Sequence, residues 1–131
     1  MRRSLTTAAA ATALAALAAG PAAASVDPSI RVDPRRLTLG ETAIIQGQSW
    51  VVGAGCSDRV RVRIRVRADG ERWSAPVGVG RVRPSTAAFR LRFTPPQRKF
   101  PAGRAVIVAR QHCPDEQGGD MVRRARITLV G

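Results

Sequence analysis

The 131-residue sequence contains no tyrosine, one histidine, one lysine and only two cysteines, and aromatic residues make up just 4% of it. Each scarcity excludes something. With His112 as the lone histidine and Cys56 and Cys113 as the only cysteines, no set of side chains matches a zinc or other transition-metal site. Asp115, Glu116 and Asp120 follow His112 in the same loop, but they lack the alternate spacing of a calcium loop. The few serines stand in no nucleophile-elbow context. No catalytic residue, no metal ligand set and no cofactor motif follow from the sequence, and the expectation is a protein without enzymatic activity. The shortage of aromatics also removes the stacking platforms that base-specific nucleic-acid recognition uses.

Long apolar runs are absent except at the start. Arg2 and Arg3 form a short basic beginning, followed by an Ala- and Leu-rich run from Leu5 to Ala19. Gly20 and Pro21 then precede Ala22-Ala23-Ala24. This order of basic, apolar and small residues reads as a signal peptide, residues 1–24, cut after Ala24. The apolar run falls short of the roughly 20 residues a membrane span needs. Thr6 follows Leu5 where a twin-arginine signal prefers a second apolar residue, so the general secretory route fits better. The expected product is a single domain, residues 25–131, secreted or loosely associated with the cell envelope, with no membrane span.

Acidic residues are also few. The chain has 22 basic residues against 9 acidic ones, and all but Lys99 of the basic residues are arginine. Without Arg2 and Arg3, 20 basic residues remain against 9 acidic, a net charge of +11. An arginine bias of this kind, together with abundant Ala, Val and Gly, is also what a GC-rich bacterial genome produces. One reading of the charge is therefore compositional, a solvated surface with no partner.

What is present is a period of two. Val60, Val62, Ile64 and Val66 alternate with Arg59, Arg61, Arg63, Arg65 and Arg67. Strict alternation of this length is a half-buried strand and cannot be an amphipathic helix. Phe89, Leu91 and Phe93 alternate with Arg90 and Arg92, and Ile127 and Leu129 with Arg126 and Thr128. No segment after the leader has a persuasive helical period. Turn residues separate the strands at short intervals: Asp33-Pro34, Gly40, Gly47, the hairpin signal Asp69-Gly70, Pro95-Pro96 and Pro101 to Gly103. Pro76, Gly78 and Gly80 mark an irregular edge strand. This spacing predicts an all-β, antiparallel β-sandwich of about seven strands, without helix. In an oxidising compartment Cys56 and Cys113 are expected to pair. The parity of Ala105, Ile107 and Ala109 carries through Gln111 to Cys113, which brings both sulfurs to one end of the sandwich. Closing a loop of more than fifty residues contributes about 4 kcal/mol in the chain-entropy model.

The stretches Val32-Asp33-Pro34, Leu37 to Thr42, Gly47-Gln48-Ser49-Trp50 and Pro101 to Ala109 resemble secreted Ig-like modules of actinobacteria. The resemblance implies an Ig-like sandwich, a loop aromatic at Trp50 packed over its end, and the second cysteine just after the penultimate strand. The tyrosine such modules usually carry after the Pro-Gly turn falls at Ala105, so a tyrosine corner is absent. A more distant architectural resemblance is to the enediyne-binding apoproteins, the neocarzinostatin family. Those proteins have two disulfides beside their ligand cleft, and this chain has cysteines for one.

The arginines are the candidate functional residues. Arg61, Arg63 and Arg65 point to one face, about 6.6–6.8 Å apart along their strand. In the usual sandwich order the last two strands lie beside them and add Arg104, Arg110, Arg124 and Arg126 around Val106 and Val108. Guanidinium forks suit phosphate and carboxylate. The reading that follows is a non-enzymatic interaction module for an anionic cell-envelope polymer or other polyanion. Two other classes stay open: a small-molecule carrier using the sandwich end near the disulfide, and an inhibitor of an extracellular enzyme presenting the Pro95 to Gly103 loop. The sequence gives no oligomeric state.

Overall fold

The computed structural model describes residues 27–131; the leader assigned to residues 1–24 lies outside the described residues. Among the described residues eight strands form two sheets. β1 (Ser29–Asp33), β3 (Ala43–Gln48) and β6 (Phe89–Phe93) make a three-stranded antiparallel sheet in the order β1-β3-β6. β2 (Arg36–Thr38), β4 (Arg59–Ala68), β5 (Glu71–Arg81), β7 (Gly103–Gln111) and β8 (Met121–Val130) make a five-stranded sheet in the order β2-β8-β7-β4-β5. Among the described residues the only helical element is a single 3₁₀ turn, Asp115–Gln117. No helix there is long and apolar enough to cross a membrane.

The Asp33-Pro34 turn separates two short strands that go to different sheets. β1 pairs with β3, the chain passes a cis Asp33–Pro34 bond, and β2 then joins the other sheet parallel to β8. The third strand ends later than its sequence suggests, because Gly47 and Gln48 still pair with β1. Period-two burial holds best in β4, where Val60, Val62, Ile64 and Val66 are buried and every arginine between them is exposed. Ile64 and Ile107, opposite each other on β4 and β7, are fully buried; each such side chain contributes roughly 1.5–3 kcal/mol through its removal from water.

The two sheets share one core. Val60, Val62, Ile64, Ile107, Ile127 and Leu129 from the five-stranded sheet meet Val32, Ile45, Phe89 and Phe93 from the other. Phe89 needs unusual room. Its ring lies where a Cβ on Gly47 of β3 or on Gly80 of β5 would overlap it, so both neighbouring strands give up a side chain to seat one ring. Trp50 packs on the same ring at a centroid distance of 5.8 Å and donates from Nε1 to the Ser29 carbonyl at 3.1 Å. It is 2% exposed, which agrees with a packing role for this aromatic. Trp73 is half-buried and lies edge-on against Phe100, centroids 4.5 Å apart.

Candidate functional site

The Asp69-Gly70 turn fixes how the arginine strand meets its neighbour. Both residues have positive φ, 51° and 79°, the conformation of a two-residue hairpin turn that suits strand twist. Ala68 then faces Glu71 and Arg67 faces Arg72. Further along, the register shifts between Val62 and Arg63: Val62 pairs with Gly78 and Arg63 with Pro76, which leaves Val77 as an extra residue. This bulge reverses the outward phase of β5, from Arg72, Ser74 and Pro76 to Val79 and Arg81. Pro76, lacking an N–H, is tolerated because β5 is the sheet edge.

On the other side β7 supplies Arg110, Val108, Val106 and Arg104 opposite Arg61, Arg63, Arg65 and Arg67. β8 follows with Arg124 opposite Val108 and Arg126 opposite Val106. The register therefore brings together all seven arginines singled out in the sequence, Arg61, Arg63, Arg65, Arg104, Arg110, Arg124 and Arg126, on the outer face of one sheet. All seven are exposed, while Val108 beneath them is only 6% exposed, as expected where long arginine stems cover an apolar floor and keep their heads in water. Arg90 and Arg92 lie on β6, in the other sheet.

Like charges directly opposite on neighbouring strands are destabilising, and little on this face offsets them. Among the described residues, only Arg110 of these seven has a carboxylate within ion-pair distance, Asp120 at 3.6 Å; Arg63 donates to the Ser74 hydroxyl at 3.2 Å. Among the described residues, this face has at least two depressions. One, of about 360 Å³, is bounded by Arg61, Arg63, Arg65, Arg110, Pro76 and Val79. The other, of about 990 Å³, lies toward the hairpin end between β2 and β5. Four arginines on this second depression, Arg35, Arg36, Arg67 and Arg72, were not singled out in the sequence. Arg67 and Arg72 follow from counting outward from the Asp69-Gly70 turn; Arg36 is placed by a non-local parallel pairing that no short-range pattern announces.

The loop cluster at the opposite end is held by a disulfide and an amide. Cys56 and Cys113 are bonded, 57 residues apart in sequence. Gln111, completely buried, accepts from the Val51 N–H at 3.1 Å and donates to the Val51 and Ser57 carbonyls at 2.8 Å each. One amide thereby pairs three backbone groups of a loop that no sheet ladder reaches. Beside it, Asp120 Oδ1 lies 2.9 Å from His112 Nδ1 and accepts from the Cys113 N–H at 3.2 Å. The Asp120 carboxyl is held below the ordinary carboxylate value, chiefly by that backbone N–H and then by His112 and Arg110, against some desolvation. His112 is 78% exposed. Among the described residues no group of three or more His, Cys, Asp or Glu side chains is gathered as a metal site requires.

No family model matches this chain. No curated protein sequence matches it. Its likeness to solved structures is one of fold. A superoxide reductase (neelaredoxin) from Ignicoccus hospitalis superposes with a TM-score of 0.57 at 12% identity, over 80% of this chain and 81% of that one. An alkylpurine DNA glycosylase (AlkC) from Pseudomonas fluorescens, bound to DNA containing an abasic site analogue, gives 0.50 at 15% identity, over 82% of this chain but 31% of its own. At such identities the shared feature is the two-sheet framework, and fold alone assigns no activity.

Proposed function

We propose that this chain is an exported, non-enzymatic module of Ig-like architecture that binds an anionic cell-envelope polymer through its arginine face. The observation that carries the reading is the register: four neighbouring strands deliver exposed arginines to one face, and among the described residues one carboxylate answers them. A face of this kind is a site of self-repulsion in isolation and gains from a polyanion, whose oxygens accept charge-assisted hydrogen bonds. The strand order supports the Ig-like part of the reading, with β8-β7-β4 in the positions of the last, penultimate and third strands of such sandwiches and β1-β3-β6 opposite. Export is supported by the leader pattern in the sequence and by the disulfide, a bond that persists in oxidising compartments. The carrier alternative needs a cavity at the disulfide end, where buried Trp50 and Gln111 occupy the interior.

The test is binding to anionic polymers across a salt series. Affinity is expected to fall steeply with salt, because each neutralised phosphate releases counterions. Replacing Arg61, Arg63 and Arg65 together with Gln is expected to weaken binding and flatten the salt dependence. Replacing Arg90 and Arg92 on the other sheet is expected to do less. No binding by the unsubstituted protein to poly(glycerol phosphate), anionic vesicles or DNA at modest salt refutes the reading.

A further inference from the structure

The outward residues nearest the hairpin fall into one straight row across the whole five-stranded sheet. Arg72 of β5 stands opposite Arg67 of β4, and Arg67 opposite Arg104 of β7. Arg104 faces Thr128 of β8, which faces Arg36 of β2. Four arginines and a threonine therefore occupy five consecutive strand positions, a span of about 19 Å at 4.7–4.9 Å per strand. The row runs along the larger depression, about 990 Å³ in volume, which Arg35, Arg65 and Arg126 also line and whose floor includes Val106.

Three features mark this row. It sets three opposed arginines in succession, Arg72, Arg67 and Arg104, whereas the row through Arg61 has two, Arg61 and Arg110, and the rows through Arg65 and Arg63 alternate arginine with Ser74, Val106, Pro76 or Val108. Among the described residues none of its four arginines is within ion-pair distance of a carboxylate, a state shared with every other arginine singled out on the face except Arg110 at the other end. The backbone is also adapted here. Gly103, with φ 151°, opens β7 so close to the Arg67 carbonyl that a Cβ would overlap it, which brings the start of β7 directly beside Arg67.

We propose that this row is the seat of a linear chain of phosphate groups, free of bases, lying across the strands. The proposal rests on the polyanion reading above and assigns its location and ligand chemistry. A tetrahedral phosphate offers oxygens to the guanidinium groups on both sides of it, so successive phosphates bridge successive arginines. A planar carboxylate is matched by one guanidinium fork. The carboxylates of Asp69 and Glu71 sit at the hairpin end of the strands and those of Asp58 and Asp120 at the other end, so a polyanion running along the strands meets negative charge at both limits. A polyanion running across them ends on Arg72 and Arg36, at the two sheet edges. Single-stranded nucleic acid draws affinity from bases stacked on aromatic side chains. Trp73, between outward Arg72 and Ser74, lies on the inner face and is engaged edge-on with Phe100.

The experiment uses the oxidised protein and three probes matched in charge: inorganic polyphosphate of defined length, polyglutamate and a single-stranded oligonucleotide. Polyphosphate is expected to bind tightest, with a log–log salt slope of about −3 for four phosphates at roughly 0.7 each. The pair Arg67→Gln and Arg104→Gln is expected to weaken polyphosphate at least tenfold and to reduce that slope by about 1.4. The pair Arg61→Gln and Arg110→Gln removes the same charge from the far end of the same face and is expected to cost at least threefold less. If the first pair does not fold, Arg67→Lys with Arg104→Lys keeps the charge and loses the forks, and a severalfold loss is still expected. Equal losses from the two pairs overturn the seat while leaving a polyanion-binding face. Tighter binding of polyglutamate or the oligonucleotide overturns the ligand assignment. No binding of any probe overturns the underlying reading as well.

Discussion

Replacing Gln111 by Leu removes the amide that organises the loop at the disulfide end, at nearly constant side-chain volume. The wild-type amide makes three hydrogen bonds, at 3.1, 2.8 and 2.8 Å, from a completely buried position. Each contributes about 1 kcal/mol net, and more is lost where a partner stays dry and unpaired. Val51 and Ser57 are half-buried, so water reaches part of what is orphaned, and the expected loss is about 2–3 kcal/mol. Urea unfolding of the oxidised protein, followed by the fluorescence of buried Trp50 next to this loop, reads the loss as a lower midpoint. At roughly 1–3 kcal/mol per molar urea for small proteins, the shift is about 0.7–3 M. Gln111→Glu separates hydrogen bonding from shape. Its carboxylate still accepts from Val51 N–H but confronts two carbonyls, and burial raises its pKa above the unfolded value. A group with a raised folded pKa contributes its stability at low pH and loses it as pH rises, so the Glu variant is expected to approach wild type near pH 4 and fall away toward pH 7. A Leu variant within 0.5 kcal/mol of wild type, roughly the scatter of neutral surface changes, refutes the assignment of Gln111 as the loop's anchor.

Paired replacement of Cys56 and Cys113 by Ala reopens a 57-residue separation and is expected to cost about 4 kcal/mol; thiol titration of the denatured, unreduced protein is expected to find no free cysteine. Because the bond and Gln111 hold the same segment, the cysteine and Gln111→Leu losses are expected not to add, which a double-mutant cycle in urea checks. Gly80→Ala pushes a methyl into the Phe89 ring and is expected to cost about 1–3 kcal/mol, part of which returns when Phe89→Leu is added. Asp120 has a depressed carboxyl pKa, so its contribution is present above the unfolded value of about 3.9 and is lost as pH falls through the folded one. Asp120→Asn is expected to flatten stability against pH below about pH 4, as measured by urea midpoints from pH 5 to pH 2.

Much of the framework was determined by the sequence itself, because a strand's side chains alternate by a rule that needs no partner. The alternation from Arg59 to Arg67 already says which residues are wet and which are buried, and the Asp69-Gly70 turn says that the chain folds back on itself there. Parity through Gln111 to Cys113 brought the second sulfur to one end of the sandwich, where it is bonded to Cys56. The tertiary structure decided what local patterns cannot carry, namely which strands become neighbours and in what register. The Asp33-Pro34 turn was legible, but the choice of β8 as the parallel partner of β2 was not, and it put Arg36 at the end of the arginine row. The Val77 bulge reversed the phase of β5 in a segment where Pro76, Gly78 and Gly80 had shown irregularity without its direction. Burial of Gln111 depended on a loop far away in sequence arriving with unpaired backbone groups. The physical reason is common to all three: alternation is set residue by residue, whereas pairing is set by the burial of distant apolar faces against one another, and that competition is resolved only when the whole core closes.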